Sequence, residues 1–281
     1  MRLIRTRAEL DAYLRAAPHL VLVPTMGALH EGHACLVAAG ADLADRRGLS
    51  GGCVVSIFVN PTQFNDPGDL ARYPRTLDAD AQLCAAHGAA CVFAPGVEVV
   101  YPPDDRPAVP PLPPQATTPG LEDRLRPGHF AGVCQVVLRL FDLLRPRAAI
   151  FGEKDWQQLQ VLRAMTRAMT LPIDIVSGAT VREPDGLAMS SRNRFLNADE
   201  RTRAVAVSRA LRDACAAGTP ALAEPAMTRT LTAAGLSPEY AVVRDADSLL
   251  APAADRPMRA LIAARLGSVR LIDNCAFPTG F

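Results

Sequence analysis

Short, almost uninterrupted apolar runs alternate with helical patterns, and that alternation narrows the possible folds more than any other feature. The runs "HLVLVP" (19–24), "CVVSIFV" (53–59), "AACVFAP" (89–95), "RAAIFG" (147–152) and "LPIDIVS" (171–177) read as strands. Near-continuous apolarity suits a strand covered on both faces. Helical patterns lie between them at roughly 33–46, 76–87, 130–144 and 155–168. Strand–helix alternation with right-handed crossovers predicts an α/β fold built on a doubly wound parallel sheet.

The character changes after about residue 180. A long helical pattern (198–218) and a second (222–234) precede "EYAVVRDA", "MRALIAARL" and "SVRLIDN". These last three runs are separated by turns and predict a small antiparallel sheet. The chain therefore divides into residues 1–180 and a smaller C-terminal α+β domain, 181–281. Between "AACVFAP" and the 130–144 helix lies "YPPDDRPAVPPLPPQATTPG" (101–120), with eight prolines. It cannot form a regular element; a polyproline ligand for a partner domain is one reading, a stiff surface loop the favoured one, and its position before "RPGHF" also allows a role as an active-site wall.

The formal net charge is +1, which argues against a nucleic-acid or membrane surface and requires any anion site to be a local cluster. Seven cysteines occur without a CxxC, mostly inside apolar runs, as reduced core thiols of a cytoplasmic protein would. Arginines interrupt the N-terminal apolar residues, so no signal-peptide core is expected. No apolar run of about 18 residues suggests a membrane span.

In an open parallel sheet, ligands bind beyond the carboxyl ends of the strands. Four polar segments fall at such ends: "PTMGALHEGH" (24–33), "NPTQF" (60–64), "GEKDWQQ" (152–158) and "REPDGLAMSSRN" (182–193). His30 and His33 sit three apart at a helix start, where backbone N–H groups attract anions. Gly27 and Gly32 allow close approach by a base or phosphate chain. Taken alone, an HxGH is more often a surface turn. A zinc site is a third option, but its remaining ligands are not evident. Asn60 and Gln63 suit a hydroxylated substrate, although Asn-Pro also initiates turns routinely. Lys154 is a point charge for phosphate, and Asp155 can accept from ribose or help hold Mg²⁺. Gln158 lies four residues beyond Lys154 on the same face, while Trp156 reads as core. "EPDG" reads as a mobile turn ahead of Ser190, Ser191 and Arg192, whose guanidinium can grip phosphate. "RPGHF" supplies Arg126 and His129, the latter also a simple helix starter.

Together, "PTMGALHEGH", "FVNPTQF", "RPGHFAGV", "FGEKDWQQL" and "VREPDGLAMSSRN" resemble, in order, the signature blocks of the pantoate–β-alanine ligase (pantothenate synthetase) family. The resemblance implies a Rossmann-like domain that binds nucleotide and pantoate, a smaller C-terminal domain and a homodimer. It also implies ATP- and Mg²⁺-dependent joining of (R)-pantoate to β-alanine through pantoyl adenylate. Carried over by motif, Met26, Gly27, Ala28, Leu29, His30, Glu31, Gly32 and His33 line ATP. Gly152, Glu153, Lys154, Asp155, Val181, Met189, Ser190, Ser191 and Arg192 do the same. Gln63 binds pantoate and β-alanine, Gln158 binds pantoate, and Asn60 belongs with them. His33, His30, Lys154 and Arg192 are the expected catalytic groups; the metal ligands stay unassigned. Trp156 stands where the family commonly has tyrosine, and Gln135 where it has a small hydroxyl residue; Gln135 is expected near the pantoate pocket. Two rivals remain on sequence: another nucleotidyltransferase acting on a phosphorylated substrate, and a nucleotide sensor without turnover.

Overall fold

The computed structural model describes residues 1–64, 67–253 and 255–281. It divides into two compact units: Met1–Glu153 with Val161–Gly178, and Lys154–Gln160 with Ala179–Phe281.

The first unit is a Rossmann-like α/β fold. Its strands are β1 (Arg2–Ile4), β2 (Val21–Thr25), β3 (Cys53–Ile57), β4 (Ala89–Phe93), β5 (Ala148–Gly152) and β6 (Asp174–Gly178). They form one parallel sheet in the order β1-β4-β3-β2-β5-β6. Helices α1 (Arg7–Ala16), α2 (Glu31–Arg46), α3 (Pro67–Arg72), α4 (Leu77–Ala86), α5 (Val97–Val100), α6 (Glu122–Leu125) and α7 (His129–Leu144) connect them, and α8 (Trp156–Ala168) follows β5. Val21, Leu22, Val23, Val54, Val55, Val92, Phe93 and Ile150 are all essentially inaccessible, as strands covered on both faces require. Burial pushes the thiols of Cys53, Cys91 and Cys134 up to about 12 and that of Cys84 to about 11, so these cysteines act as core hydrophobes.

The strand order reverses at β2. Its register with β3 runs from Val21 through Thr25, and that of β5 with β6 from Ala148 through Gly152. Between β2 and β5, only Val21 and Leu22 are paired, with Ala148 and Ala149. The two strands therefore part company toward their carboxyl ends. That opening is the switch-point crevice where doubly wound sheets take ligands.

The elements not legible in the sequence include the three-residue edge strand β1, helix α1, which buries only Leu10 and Tyr13, and the short helices α3, α5 and α6. The proline-rich segment is irregular apart from a 3₁₀ turn at Pro114–Ala116. It is more than a surface loop, since Pro110, Pro113 and Ala116 are buried. Gln135, on α7, is buried, and its Nε2 donates to the Pro107 carbonyl of this segment at 2.7 Å.

In the second unit, α9 (Ala198–Ala204), α10 (Ala206–Ala217) and α11 (Pro220–Ala233) accompany the antiparallel sheet β7-β8-β9 (Ser237–Asp245, Met258–Leu266, Val269–Phe277). The single long helix expected at 198–218 is two helices that meet at Val205, where ψ tightens to −21°. The core of this unit joins Leu211, Met227 and Leu231 to Val243, Ile262, Leu266 and Phe277.

Candidate active site

The chain leaves β2 through Thr25 into a loop that a distant carboxylate shapes. Asp80, on α4, is 3% exposed; it accepts from the backbone N–H of Ala28 at 3.0 Å and of Leu29 at 2.8 Å, and from the Thr76 hydroxyl. Gly27 has φ +81°, and a Cβ there would stand 3.0 Å from Asp80 Oδ2. The missing side chain of Gly27 thus leaves room for Asp80 and Ile57 to pack against the loop. Ala28 follows at φ +51°, a left-handed conformation that the two Asp80 bonds hold in place.

The loop delivers His30 to the N-cap of α2. Its Nδ1 accepts from the Gly32 N–H at 3.1 Å, while His33 Nδ1 accepts from the His30 N–H at 3.3 Å. This is a capping box built from two imidazoles. An N–H donor at each Nδ1 makes Nε2 the hydrogen-bearing nitrogen of each neutral ring. The rings lie 4.1 Å apart at the positive end of the helix dipole. Glu31 is exposed at the first helical position.

Asn60 and Gln63 follow β3. The Asn-Pro turn forms: Asn60 caps a 3₁₀ turn at Pro61–Gln63 and its Oδ1 accepts from the Thr62 N–H. The same side chain also orients Gln63. Asn60 Nδ2 donates to Gln63 Oε1 at 3.0 Å and to the Gly132 carbonyl at 3.1 Å. Gln63 Nε2 lies 3.0 Å from Met26 Sδ, which brings the carboxamide against the β2 loop. The buried His129 starts α7 and also meets the Gln63 carbonyl through Nδ1 at 3.1 Å. Gly132 makes this approach possible. A Cβ there would fall 2.8 Å from Gln63 N, 2.6 Å from Thr62 C and closer still to Thr62 O.

Gly152 ends β5 in the first unit, and Glu153 opens a 3₁₀ turn, Glu153–Asp155. Lys154 belongs to the second unit, where Asn274 Nδ2 donates to its carbonyl at 2.9 Å. Arg259 Nε donates to Asn274 Oδ1 at 2.6 Å, and its guanidinium lies 3.5 Å from the centroid of the buried Trp156 ring. The Trp156 indole N–H donates to the Ala246 carbonyl at 2.8 Å. Asp155 is exposed, and Gln158 is partly buried on α8. In the same unit, the Met189 N–H donates to the Val181 carbonyl at 2.9 Å, bringing together two of the expected ATP residues. Ser190 caps the 3₁₀ turn Ser191–Phe195 by accepting from the Arg192 N–H. The "EPDG" turn is pinned rather than loose. Arg201 pairs with both Glu183 and Asp185, and Asn193 Nδ2 donates to Glu183 and to the Ala188 carbonyl. Among the described residues no cluster of three or more His, Cys, Asp or Glu is placed to hold a metal ion.

A switch-point crevice, an anion-favouring helix start carrying two imidazoles, and an oriented carboxamide beside it define an α/β enzyme that works on a nucleotide. The sequence profile of the pantoate-beta-alanine ligase family matches residues 2–276. A pantothenate synthetase of Nocardioides sp. is 47% identical over 99% of this chain and 86% of its own length. One from Thiobacillus denitrificans is 48% identical over 98% and 96%. The crystal structure of the Thermus thermophilus pantothenate synthetase superimposes with a TM-score of 0.88 at 41% identity, covering 98% of each chain. A Francisella tularensis pantoate-beta-alanine ligase, solved with β-γ ATP and β-alanine, gives a TM-score of 0.79 at 29% identity over 98% and 97%. The chain belongs to the pantoate–β-alanine ligase family.

Proposed function

We propose that His30, His33, Lys154 and Arg192 act on the phosphates of ATP while Gln63 and Gln158 hold the acid. The reaction is the ATP-dependent condensation of (R)-pantoate with β-alanine to pantothenate, AMP and pyrophosphate. A carboxylate cannot expel oxide, so the acid must first acquire a leaving group. Pantoate carboxylate attacks the α-phosphorus in line and expels pyrophosphate; the β-alanine amine then attacks pantoyl adenylate and releases AMP. Charge builds on phosphate oxygens throughout, so positioning and electrostatics carry the catalysis. The contact of Gln63 with Met26 carries this reading, because it puts an acid-binding carboxamide against the nucleotide loop.

The neutral imidazoles suit hydrogen-bond donation to phosphate through Nε2, and neither adenylation nor aminolysis demands that they transfer a proton to pyrophosphate. Met26 to His33, Gly152 to Asp155, Val181 and Met189 to Arg192 are proposed to line ATP. Mg²⁺ is proposed to enter as the ATP complex, held by phosphate oxygens, which needs no all-protein cage. The enzyme is proposed to work as a cytoplasmic homodimer, with residues 1–180 forming the nucleotide and pantoate domain and 181–281 the smaller one. The unpaired cysteines accord with a reducing compartment.

Pantoate-dependent exchange of pyrophosphate into ATP isolates the first step. His33→Ala and Lys154→Ala should each slow it about a hundred- to thousandfold, the usual cost of one donor to developing charge. Exchange near the parent rate in either variant would remove that residue from the proposal. AMP release only when pantoate, β-alanine and ATP are all present excludes the sensor reading. A nucleotide retained in the product would favour the other transferase.

A further inference from the structure

Tyr101 opens the proline-rich segment and belongs to none of the motifs that suggested the reaction. Its ring is 8% exposed, 6.0 Å from the Phe58 ring, and its hydroxyl donates to Asn60 Oδ1 at 2.8 Å. That is the shortest of three bonds to this oxygen; the others come from the Thr62 hydroxyl at 3.1 Å and the Thr62 N–H at 3.3 Å. With Oδ1 facing donors, Nδ2 must face acceptors, and its two hydrogens go to Gly132 O and Gln63 Oε1. Asn60 is 1% exposed, so it keeps no amide hydrogen for a ligand. The chain of donors runs in one direction: phenol to Asn60 oxygen, Asn60 nitrogen to Gln63 oxygen. It leaves the NH₂ of Gln63 as the end presented beside Met26.

We propose that Tyr101 is a positioning residue for the acid substrate, acting through Asn60 to fix the Gln63 amide so that it meets pantoate as a donor to an acceptor oxygen. The inference rests on Gln63 being a pantoate residue and adds the group that sets its polarity. Burial pushes the Tyr101 phenol above its ordinary value, the nearby Thr62 and Arg106 offsetting only part, so it remains a donor at neutral pH. Its backbone is anchored as well. Arg139 Nε donates to Val100 O at 3.1 Å, and Gln135 grips Pro107 six residues further on. Gln135 thus holds the segment that begins at Tyr101.

The experiment is steady-state kinetics on the full chain, varying pantoate and ATP separately, for Tyr101→Phe, Gln63→Ala, the double variant and Gln63→Glu. Tyr101→Phe should raise the pantoate KM about tenfold and leave the ATP KM within about twofold, the loss expected of one oriented hydrogen bond. In the Gln63→Ala background the same change should have no further effect on the pantoate KM, because the group it orients is gone. Gln63→Glu, similar in shape but without the donor, should do no better than Gln63→Ala. Equal losses from Tyr101→Phe in both backgrounds would overturn the proposal, as would an unchanged pantoate KM in Tyr101→Phe alone. Near-parent kinetics in Gln63→Glu would overturn the donor polarity. An unchanged pantoate KM in Gln63→Ala would instead overturn the assignment of Gln63 itself. Should Tyr101→Phe fail to fold, Asn60→Asp tests the same relay: it removes both Nδ2 donors and should raise the pantoate KM, and an unchanged value would refute it.

Discussion

Gly132→Ala separates two forces that pull in opposite directions. Gly132 lies in the first turn of α7, and alanine in place of glycine in a helix gains about 0.8–1.0 kcal/mol from backbone propensity. Propensity alone therefore predicts a more stable protein. The new Cβ would nevertheless stand 2.6 Å from Thr62 C and 2.8 Å from Gln63 N. The Thr62 carbonyl oxygen would be nearer still, so to restore ordinary contact that backbone must retreat by about 1 Å, and close-packed surroundings resist such a shift. Overpacking of this kind costs about 1–3 kcal/mol. The balance is a net destabilisation between roughly zero and 2 kcal/mol, or a fall of up to about 8 °C in Tm for a chain of this size.

The effect on rate should be much larger than the effect on stability. The atoms displaced are the backbone of Gln63 and the carbonyl of Gly132 that accepts from Asn60. A misplacement near 1 Å can cost about a hundredfold in rate. Thermal melting and pantoate-dependent pyrophosphate–ATP exchange, measured on the same preparation, give both numbers. A variant that melts higher than the parent and exchanges at the parent rate would show that α7 and the Thr62–Gln63 turn can part freely. The argued role of Gly132 would then be wrong.

Asp80→Asn replaces an acceptor of two backbone N–H bonds with a group that can accept only at one end. About 1–3 kcal/mol of loop stabilisation should go, and the ATP KM should rise about tenfold with little change for pantoate; an unchanged ATP KM would refute the loop's dependence on Asp80. Burial opposes ionisation of Asp245, but bonds from the Ser248 N–H and hydroxyl, the Arg256 charge and the Asp247 N–H outweigh it and hold the carboxyl below its ordinary 3.8. A depressed carboxylate adds stability above its unfolded value and loses it as pH falls through the folded one. Acid melts should therefore drop less steeply below about pH 4 for Asp245→Asn than for the parent, and equal slopes would count against the pairing. Iodoacetamide at neutral pH should modify the exposed Cys35 well before Cys53, Cys84, Cys91 or Cys134. Peptide mass analysis showing early labelling of those four would contradict their burial.

The parallel sheet was legible because four of its strands are near-continuous apolar runs of the length that double coverage demands, while the edge strand β6, exposed or half-buried throughout, shows through the apolar residues Ile175 and Val176. Strand β1 escaped notice because its three residues carry a single buried side chain, Ile4. Helix α1 shows no clear pattern because four charged residues break up its apolar ones and only Leu10 and Tyr13 are buried. The reacting groups were legible for another reason: histidines, a lysine and a guanidinium at strand tips are conspicuous by type. Val205 shows the limit of pattern, for the apolar period runs through it unbroken while the backbone does not.

The residues that hold the reacting groups were invisible because their partners are remote in the chain. Asp80 reaches Ala28 across 52 residues, Tyr101 reaches Asn60 across 41, and Asn274 reaches Lys154 across 120. In sequence, Asp80 is only an acid in the first turn of a helix, where its charge already suits the dipole. Tyr101 is the edge of a proline-rich stretch, and Asn274 lies inside a strand. Only the structure shows that their hydrogen-bonding capacity is directed at the loops bearing His30, Gln63 and Lys154. Buried polar groups are costly unless paired, so such residues are tolerated only where pairing is complete. The same completeness makes them poor ligands and good struts. Their substitution should therefore slow the reaction without removing any atom that touches substrate, and the loss should vanish once the supported residue is itself removed.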